Sequence, residues 1–493
     1  MKVVRRAVAA ILILLIILSI PLPSRSLPAG DESLPFVWNQ DSVWVAMEAR
    51  FRTQRMTGCD ADAVNTELAR LDSSVAVVGA GSLSPDDAHW EVAEQRLFDA
   101  ATRVAACPIG EAAFIRSATR LRAAVKRQSI EWDIASVSAR RRLYRMLYGS
   151  RAAVEEVLTQ NPDSSLALVT DPSLVASLES AERNPLWLTP SAIVHGVRIH
   201  SGDLLVSRGG YPTSALIARG SDYPGNFSHV AIAHVDSSGS VTAVEAHIER
   251  GVATASAEEY LADKKLRLMV LRVRPDHPML QADPLLPHRA ASYALHRATV
   301  EHVPYDFEMD YTDPSRLFCS EVASDAYRQE GVTLWTGIST ISSAGLRNWL
   351  GAFGVTHFKT QEPSDLEYDP QLVVVAEWRD PDALAEDRID NAVVDAMLER
   401  ADAGERLGFP WYQLAPGRLA KAYSLLLNSF GRIGPVPEGM SAAAALRNRA
   451  YTERHDGIAE RVGEAASNFA SAEGYPPPYW RLVDIARGSV AEY

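Results

Sequence analysis

Cysteine is scarce in this chain, with three in 493 residues: Cys59, Cys107 and Cys319. One pair can form and one thiol is left over. Dense blocks of lysine and arginine are also missing, and the formal net charge is −13. Nucleic acid is therefore excluded as an expected partner. After the first twenty residues no stretch is long and apolar enough to span a bilayer. There is no G-x-S-x-G elbow, no H-E-x-x-H helix and no G-x-x-x-x-G-K-[ST] loop. Asp306, Asp310 and Asp313 imitate a calcium run, but the glycine and closing glutamate of an EF-hand loop are absent. They read as turn and capping residues, and no metal or cofactor is expected. Internal repeats and low-complexity linkers are absent too.

What is present suits a large globular protein of about three domains. The N-terminus has Lys2, Arg5 and Arg6 before an apolar run from Ala7 to Ile20, then Pro21 and Ser24-Arg25-Ser26. Residues 1–26 read as a secretory signal, with an uncleaved anchor as the alternative. Export would place the chain in the periplasm or outside the cell, with membrane contact only through an uncleaved segment. In an oxidising compartment Cys59 and Cys107, both in the N-terminal helical region, are candidates for a disulfide. Cys319 would then be the free thiol.

Residues 36–190 read as helical. Helices are expected over about 43–56, 60–71, 111–128 and 139–160, and one opening at Ser84-Pro85 runs to about Ala106. Their alternating charges read as solvated faces. Residues 191–380 are α+β with an antiparallel sheet. Strand-like runs lie at 192–199, 203–208, 227–235, 241–247, 267–273 and 371–378, with a helix over 284–297. Ser237-Ser238-Gly239-Ser240 joins two of the strands as a hairpin. Residues 381–493 return to helix, with Gly457 and Gly463 weakening the run from Ala442 to Ser471. Pro476-Pro477-Pro478-Tyr479-Trp480 is a rigid extended piece that packs on the body.

The chemistry concentrates on two stretches. Leu317 to Tyr327 opens a helix on Cys319, with Phe318, Val322 and Ala326 at i, i+4, i+8, and Glu330-Gly331 closing it. A cysteine in a first helical turn meets unpaired N–H groups and the positive end of the dipole, which favour a thiolate. Alone, such a cysteine reads as a small buried residue. A nucleophilic cysteine also needs a base and a group that orients it. His229 shares a strand face with Ala231, Ala233 and Val235, a small-residue face with room for substrate. Glu245 and His247 share a face of the partner strand, and hairpin pairing can set either beside His229. His234, on the opposite face, reads as structural.

Residues 199–331 resemble the permuted papain-like cysteine hydrolases of the NlpC superfamily, in the YiiX/YebB-like branch. The matching pieces are Gly202-Asp203-Leu204-Leu205 with Arg208-Gly209; Phe227-Ser228-His229-Val230-Ala231-Ile232; Val244-Glu245-Ala246 with Gly251-Val252; Tyr305-Asp306; and Phe318-Cys319-Ser320-Glu321-Val322. Histidine and acid precede the cysteine helix, as in the permuted families. The resemblance implies Cys319 as nucleophile, His229 as base and Glu245 as the orienting residue, with His247 a competitor for that third role. It implies a pocket shaped by Tyr305 and Asp306, with Ser228, Ser320 and His247 beside it. The expected fold is a permuted papain-like core flanked by N- and C-terminal helical regions. The expected activity is hydrolysis of an amide bond through an acyl-enzyme, with cell-wall peptide as first substrate. Alternatives are a lipid acyl hydrolase or transferase on the same fold, and a non-catalytic envelope scaffold.

Overall fold

The computed structural model describes residues 42–161, 187–378 and 380–492, with residues 5, 6, 13 and 16–21 of the N-terminal segment. The reading of residues 1–26 as signal or anchor therefore falls mostly outside the described residues. No described helix is long and apolar enough to cross a membrane.

Among the described residues the first region has five α-helices: α1 Ser42–Thr57, α2 Ala61–Ala80, α3 Ala88–Ala106, α4 Glu111–Gln128 and α5 Val137–Gln160. Their apolar stripes meet in one core around Trp90, Phe98, Phe114 and Tyr144. Cys59 and Cys107 form a disulfide between the ends of α1 and α3. The α3 start differs from the serine cap expected at Ser84. Asp87 is the cap, its carboxylate accepting the His89 N–H, while the Ser84 carbonyl takes the Trp90 indole N–H.

The middle region has a hairpin, β1 Ser191–Val194 and β2 Val197–His200, then β3 Leu204–Gly209, α6 Pro212–Arg219, β4 His229–Val235, β5 Val241–His247, β6 Gly251–Ser256 and β7 Lys265–Val273. Next come α7 Leu286–Val300, α8 Cys319–Gln329, α9 Ala344–Phe353 and β8 Leu372–Trp378. Six strands form one antiparallel sheet in the order β8-β7-β3-β4-β5-β6. Strand alternation divides its side chains cleanly. Val206, Val230, Ile232 and Val244 face α7 and α8, which contribute Ala290, Ala294, Val322 and Ala326. Leu205, Ala231, Ala233 and Ala243 face the other way, packed with Val197, Ile199 and Tyr260. Ala231 and Ala233 are fully buried. The small-residue face expected to hold substrate is instead filled by these neighbours.

The last helices are α10 Pro381–Asp402, α11 Leu414–Asn428, α12 Ala442–Glu473 and α13 Tyr479–Glu492. Gly457 and Gly463 do not interrupt α12, because Tyr451, Ile458 and Val462 are buried in a cluster with α10 and α13. Ala215 and Leu216 of α6 and Trp349 of α9 join that cluster. The C-terminal helices thus share a core with the middle region.

The N-terminal helical charges are only partly solvated, contrary to the sequence reading. Arg151 is 1% exposed and sits 2.8 Å from Glu377, also pairing with Glu367. Arg122 bridges the same two carboxylates at 2.8 and 3.0 Å, and Lys126 donates to the Glu367 carbonyl at 2.8 Å. Arg267 of β7 ties Glu155 of α5 to Asp387 of α10. Charge alternation on a helix looks the same whether the face meets water or an oppositely charged wall, which is why the sequence misled here.

Candidate active site

The cysteine helix is held from three sides. Phe318 is extended, and its N–H donates to the Glu321 carboxylate at 2.8 Å, closing the first turn. Asp325 accepts from Arg297 of α7 at 2.7 Å, and the Tyr327 hydroxyl donates to the Gly202 carbonyl at 2.6 Å. Gly202 has φ +100, and a Cβ there would lie 2.3 Å from Pro287, so only glycine permits this approach. Asp203 beside it accepts from Arg272 at 2.6 Å and is buried. Gly202-Asp203 and Arg208 are thus framework. Arg208 pairs with Asp387 and Asp390 of α10.

Cys319 is the first residue of α8, is 3% exposed and is the free cysteine. Its Sγ lies 3.7 Å from the Ser228 carbonyl, at the start of β4. Cys319 lies near enough to the His229 ring to raise its pKa. His229 Nε2 is 2.5 Å from Glu245 Oε2, and His247 Nε2 is 3.0 Å from Glu245 Oε1. With Nε2 committed to the carboxylate, Nδ1 is the ring nitrogen left for sulfur. The pairing of Ala231 with Glu245 in the β4–β5 register brings the acid within reach of His229, two residues earlier. Glu245 is thereby shared by two imidazoles, and His247 meets the carboxylate, with its ring centroid 6.2 Å from that of His229.

Electrostatics follow from this chain of contacts. Burial opposes charge on His229, but hydrogen bonds with Cys319 and Glu245 outweigh it and push the imidazole up to about 9. Burial also opposes charge on Glu245, yet hydrogen bonds from His229 and His247 hold its carboxyl far below the usual carboxylate range. At neutral pH the site therefore carries an imidazolium against a carboxylate.

The remaining predicted residues divide by role. Tyr305 packs at a tilt against Phe307, ring centroids 4.9 Å apart, and lines a cavity of about 1230 Å³. Burial first, and then nearby Cys319 and Glu321, raise its phenol well above the ordinary range. Asp306 turns inward and accepts the Glu308 and Asp310 N–H groups at 2.9 and 2.6 Å, so it holds the loop that carries Tyr305. The Ser228 hydroxyl accepts the Gly209 N–H at 3.4 Å. Ser320 is fully buried and its hydroxyl has no hydrogen-bond partner. Asp310 and Asp313 close local turns with Thr312 and Ser315. His234 stacks on His288 at 5.2 Å, away from the cysteine. No cluster of metal-ligating side chains occurs among the described residues.

Two acids beside the cysteine escaped the sequence reading. Burial, with Asp306 and Cys319 nearby, pushes Glu321 up to about 9. Glu362 is 4% exposed, and burial with Asp365 and Cys319 nearby holds it protonated well above the carboxylate range. Ser364 brings it there, bonding the Phe227 N–H and carbonyl at 3.0 and 3.1 Å. Glu321 was visible in the helix pattern, but nothing local marks Glu362.

Residues 198–376 match the family of permuted papain-like amidase enzymes, YaeF/YiiX, C92. That match carries the papain-like fold of the middle region and supports a cysteine hydrolase acting on amides. It leaves the flanking helices outside. No curated protein and no solved structure matches the chain.

Proposed function

We propose that the protein is an exported cysteine hydrolase that cleaves an amide bond in a peptide, with cell-wall peptide as the first candidate. The observation that carries this reading is that His229 is bonded to Glu245 while Cys319 Sγ lies 3.7 Å from the carbonyl of Ser228, the residue before that histidine. In the proposed cycle the Cys319 sulfur attacks the amide carbonyl carbon, and the oxyanion forms near the first N–H groups of α8. The His229 imidazolium gives its proton to the leaving amine, and the C–N bond breaks to leave a thioester. His229, now neutral, takes a proton from water as the water oxygen attacks the thioester. The C–S bond then breaks, the acid product leaves, and the thiolate–imidazolium pair is restored. Glu245 fixes the imidazole tautomer and balances its charge throughout. Tyr305 would border the substrate pocket. Export is supported by the basic and apolar character of residues 1–20 and by the Cys59–Cys107 disulfide, a bond at home in oxidising compartments.

Thiol-probe labelling across pH tests the reading, with Cys319→Ser and His229→Ala alongside. Fast single-site labelling at Cys319 below the usual thiol range, slowed by His229→Ala, is expected, followed by turnover of wall peptides. Slow labelling indifferent to His229→Ala would overturn the hydrolase and leave a binding scaffold.

A further inference from the structure

Several large exposed apolar side chains cluster at α11. Leu419, Tyr423 and Leu426 follow the i, i+4, i+7 rule on one face of this helix, and Phe430 takes the next step just past its end. They are 51%, 55%, 56% and 73% exposed, flanked by Tyr412 at 61% and Ile433 at 50%. The inward side is marked by buried Leu414, Ala415 and Ser424. The helix is therefore amphipathic in the usual sense, but with its wide apolar stripe turned outward.

Two further observations identify the occupant. Between Arg406 and Pro437 the sequence has four basic residues and no acid, in a chain of net charge −13. Arg406 and Arg432 stand exposed. A second copy seated face to face on this patch would oppose like charges, whereas an anionic headgroup layer would match them. Ile17 and Leu18 of the N-terminal apolar segment also meet this helix, at the margin of the stripe. Arg418 donates to the carbonyls of Ile17 and Leu18 at 3.4 and 3.0 Å, and Ile13, Ile16, Ile17 and Ile20 are each more than half exposed. Apolar residues with tyrosines among them and basic residues at the margin are the composition of a helix lying in the membrane interface.

We infer that the α11 face is a membrane-docking surface, laying Leu419, Tyr423, Leu426 and Phe430 into the interface of a bilayer rich in anionic lipid. Ile13, Ile16, Ile17 and Ile20 enter the same plane. Pro21, Arg418 and Lys421 line the cavity that Tyr305 also lines, so docking would set that cavity at the membrane surface. The inference is independent of whether Cys319 is catalytic.

The test uses the full chain, in a Cys319→Ser background, reconstituted into phosphatidylcholine vesicles with and without phosphatidylglycerol. An environment-sensitive thiol label is placed through Leu426→Cys or, as control, Val137→Cys, which is 75% exposed on the N-terminal helices. Docking predicts severalfold stronger quenching of the 426 label than the 137 label by nitroxide lipids, and more with phosphatidylglycerol. Arg406→Glu with Arg432→Glu should weaken docking by on the order of tenfold, releasing the 426 label while the N-terminal segment keeps the protein on the vesicles. Equal water accessibility of the two labels overturns the inference. So does protection of the 426 label that follows protein density rather than lipid, which would assign the face to a second copy.

Discussion

His229 Nε2 and Glu245 Oε2 lie 2.5 Å apart, and with Cys319 this carboxylate keeps the imidazole charged. An imidazole raised to about 9 keeps its proton through neutral pH and loses it above. The acylation rate should therefore hold through neutral pH and fall on the alkaline side with an apparent pKa near 9. Glu245→Gln removes a supporting negative charge, so the alkaline limb should move down toward the ordinary histidine value of 6.5. A pH profile of kcat/KM for both proteins reads this directly. An unmoved limb would show that the carboxylate does not govern His229.

Glu321 gives the opposite sign. Its folded carboxyl is raised to about 9, against an ordinary value of 4.5. Between those values the folded state holds a proton that the unfolded state releases, so stability falls as pH rises. Glu321→Gln should flatten that slope and stabilise the fold at neutral pH by on the order of 1–3 kcal/mol. Urea midpoints from pH 5 to 9 would show it. A slope identical to that of the parent would mean that Glu321 is ionised in the folded protein.

Arg151→Ala should be severely destabilising. The substitution leaves Glu367 and Glu377, both buried, with one guanidinium fewer between them. Breaking a buried pair costs about 3–5 kcal/mol, far more than a surface pair. Arg120, more than half exposed and paired with Asp72, is the control, with an effect under about 1 kcal/mol on replacement by alanine. Thermal denaturation separates the two.

Gly251 couples the strands to the pocket. It has φ +73, and a Cβ would lie 2.1 Å from the Val303 carbonyl and 3.0 Å from Pro304. The Val252 N–H donates to that carbonyl at 2.9 Å. Gly251→Ala should push Pro304-Tyr305 away from Cys319 and lower kcat/KM more than tenfold by misplacement. The Cys319 labelling rate should change less. Equal losses in both would point to general unfolding.

The sequence was legible wherever the signal was periodic or local. The cysteine helix, the β4–β5 hairpin and the order of histidine, acid and cysteine follow from short-range pattern, and residues 198–376 match the permuted papain-like family. Legibility ended where distant segments meet. Ala231 and Ala233 looked like open ground because nothing in the strand announces the β1–β2 hairpin laid over them. Glu362 reaches the cysteine through Ser364, a contact across 137 positions of sequence. Arg122 and Arg151 looked solvated because their partners lie more than two hundred residues away.

The salt-bridged seam runs between all three regions. Arg208 and Arg267 belong to the recognised stretch, yet their carboxylates sit on α5 and α10, outside it. Glu367 and Glu377 answer in turn to arginines of the N-terminal helices. Excised at its family borders, the recognised stretch would carry Arg208, Arg267 and Glu367 buried and stripped of these partners. By this argument the flanking helices and the matched stretch fold as one cooperative unit, and none of the three parts is a spare appendage.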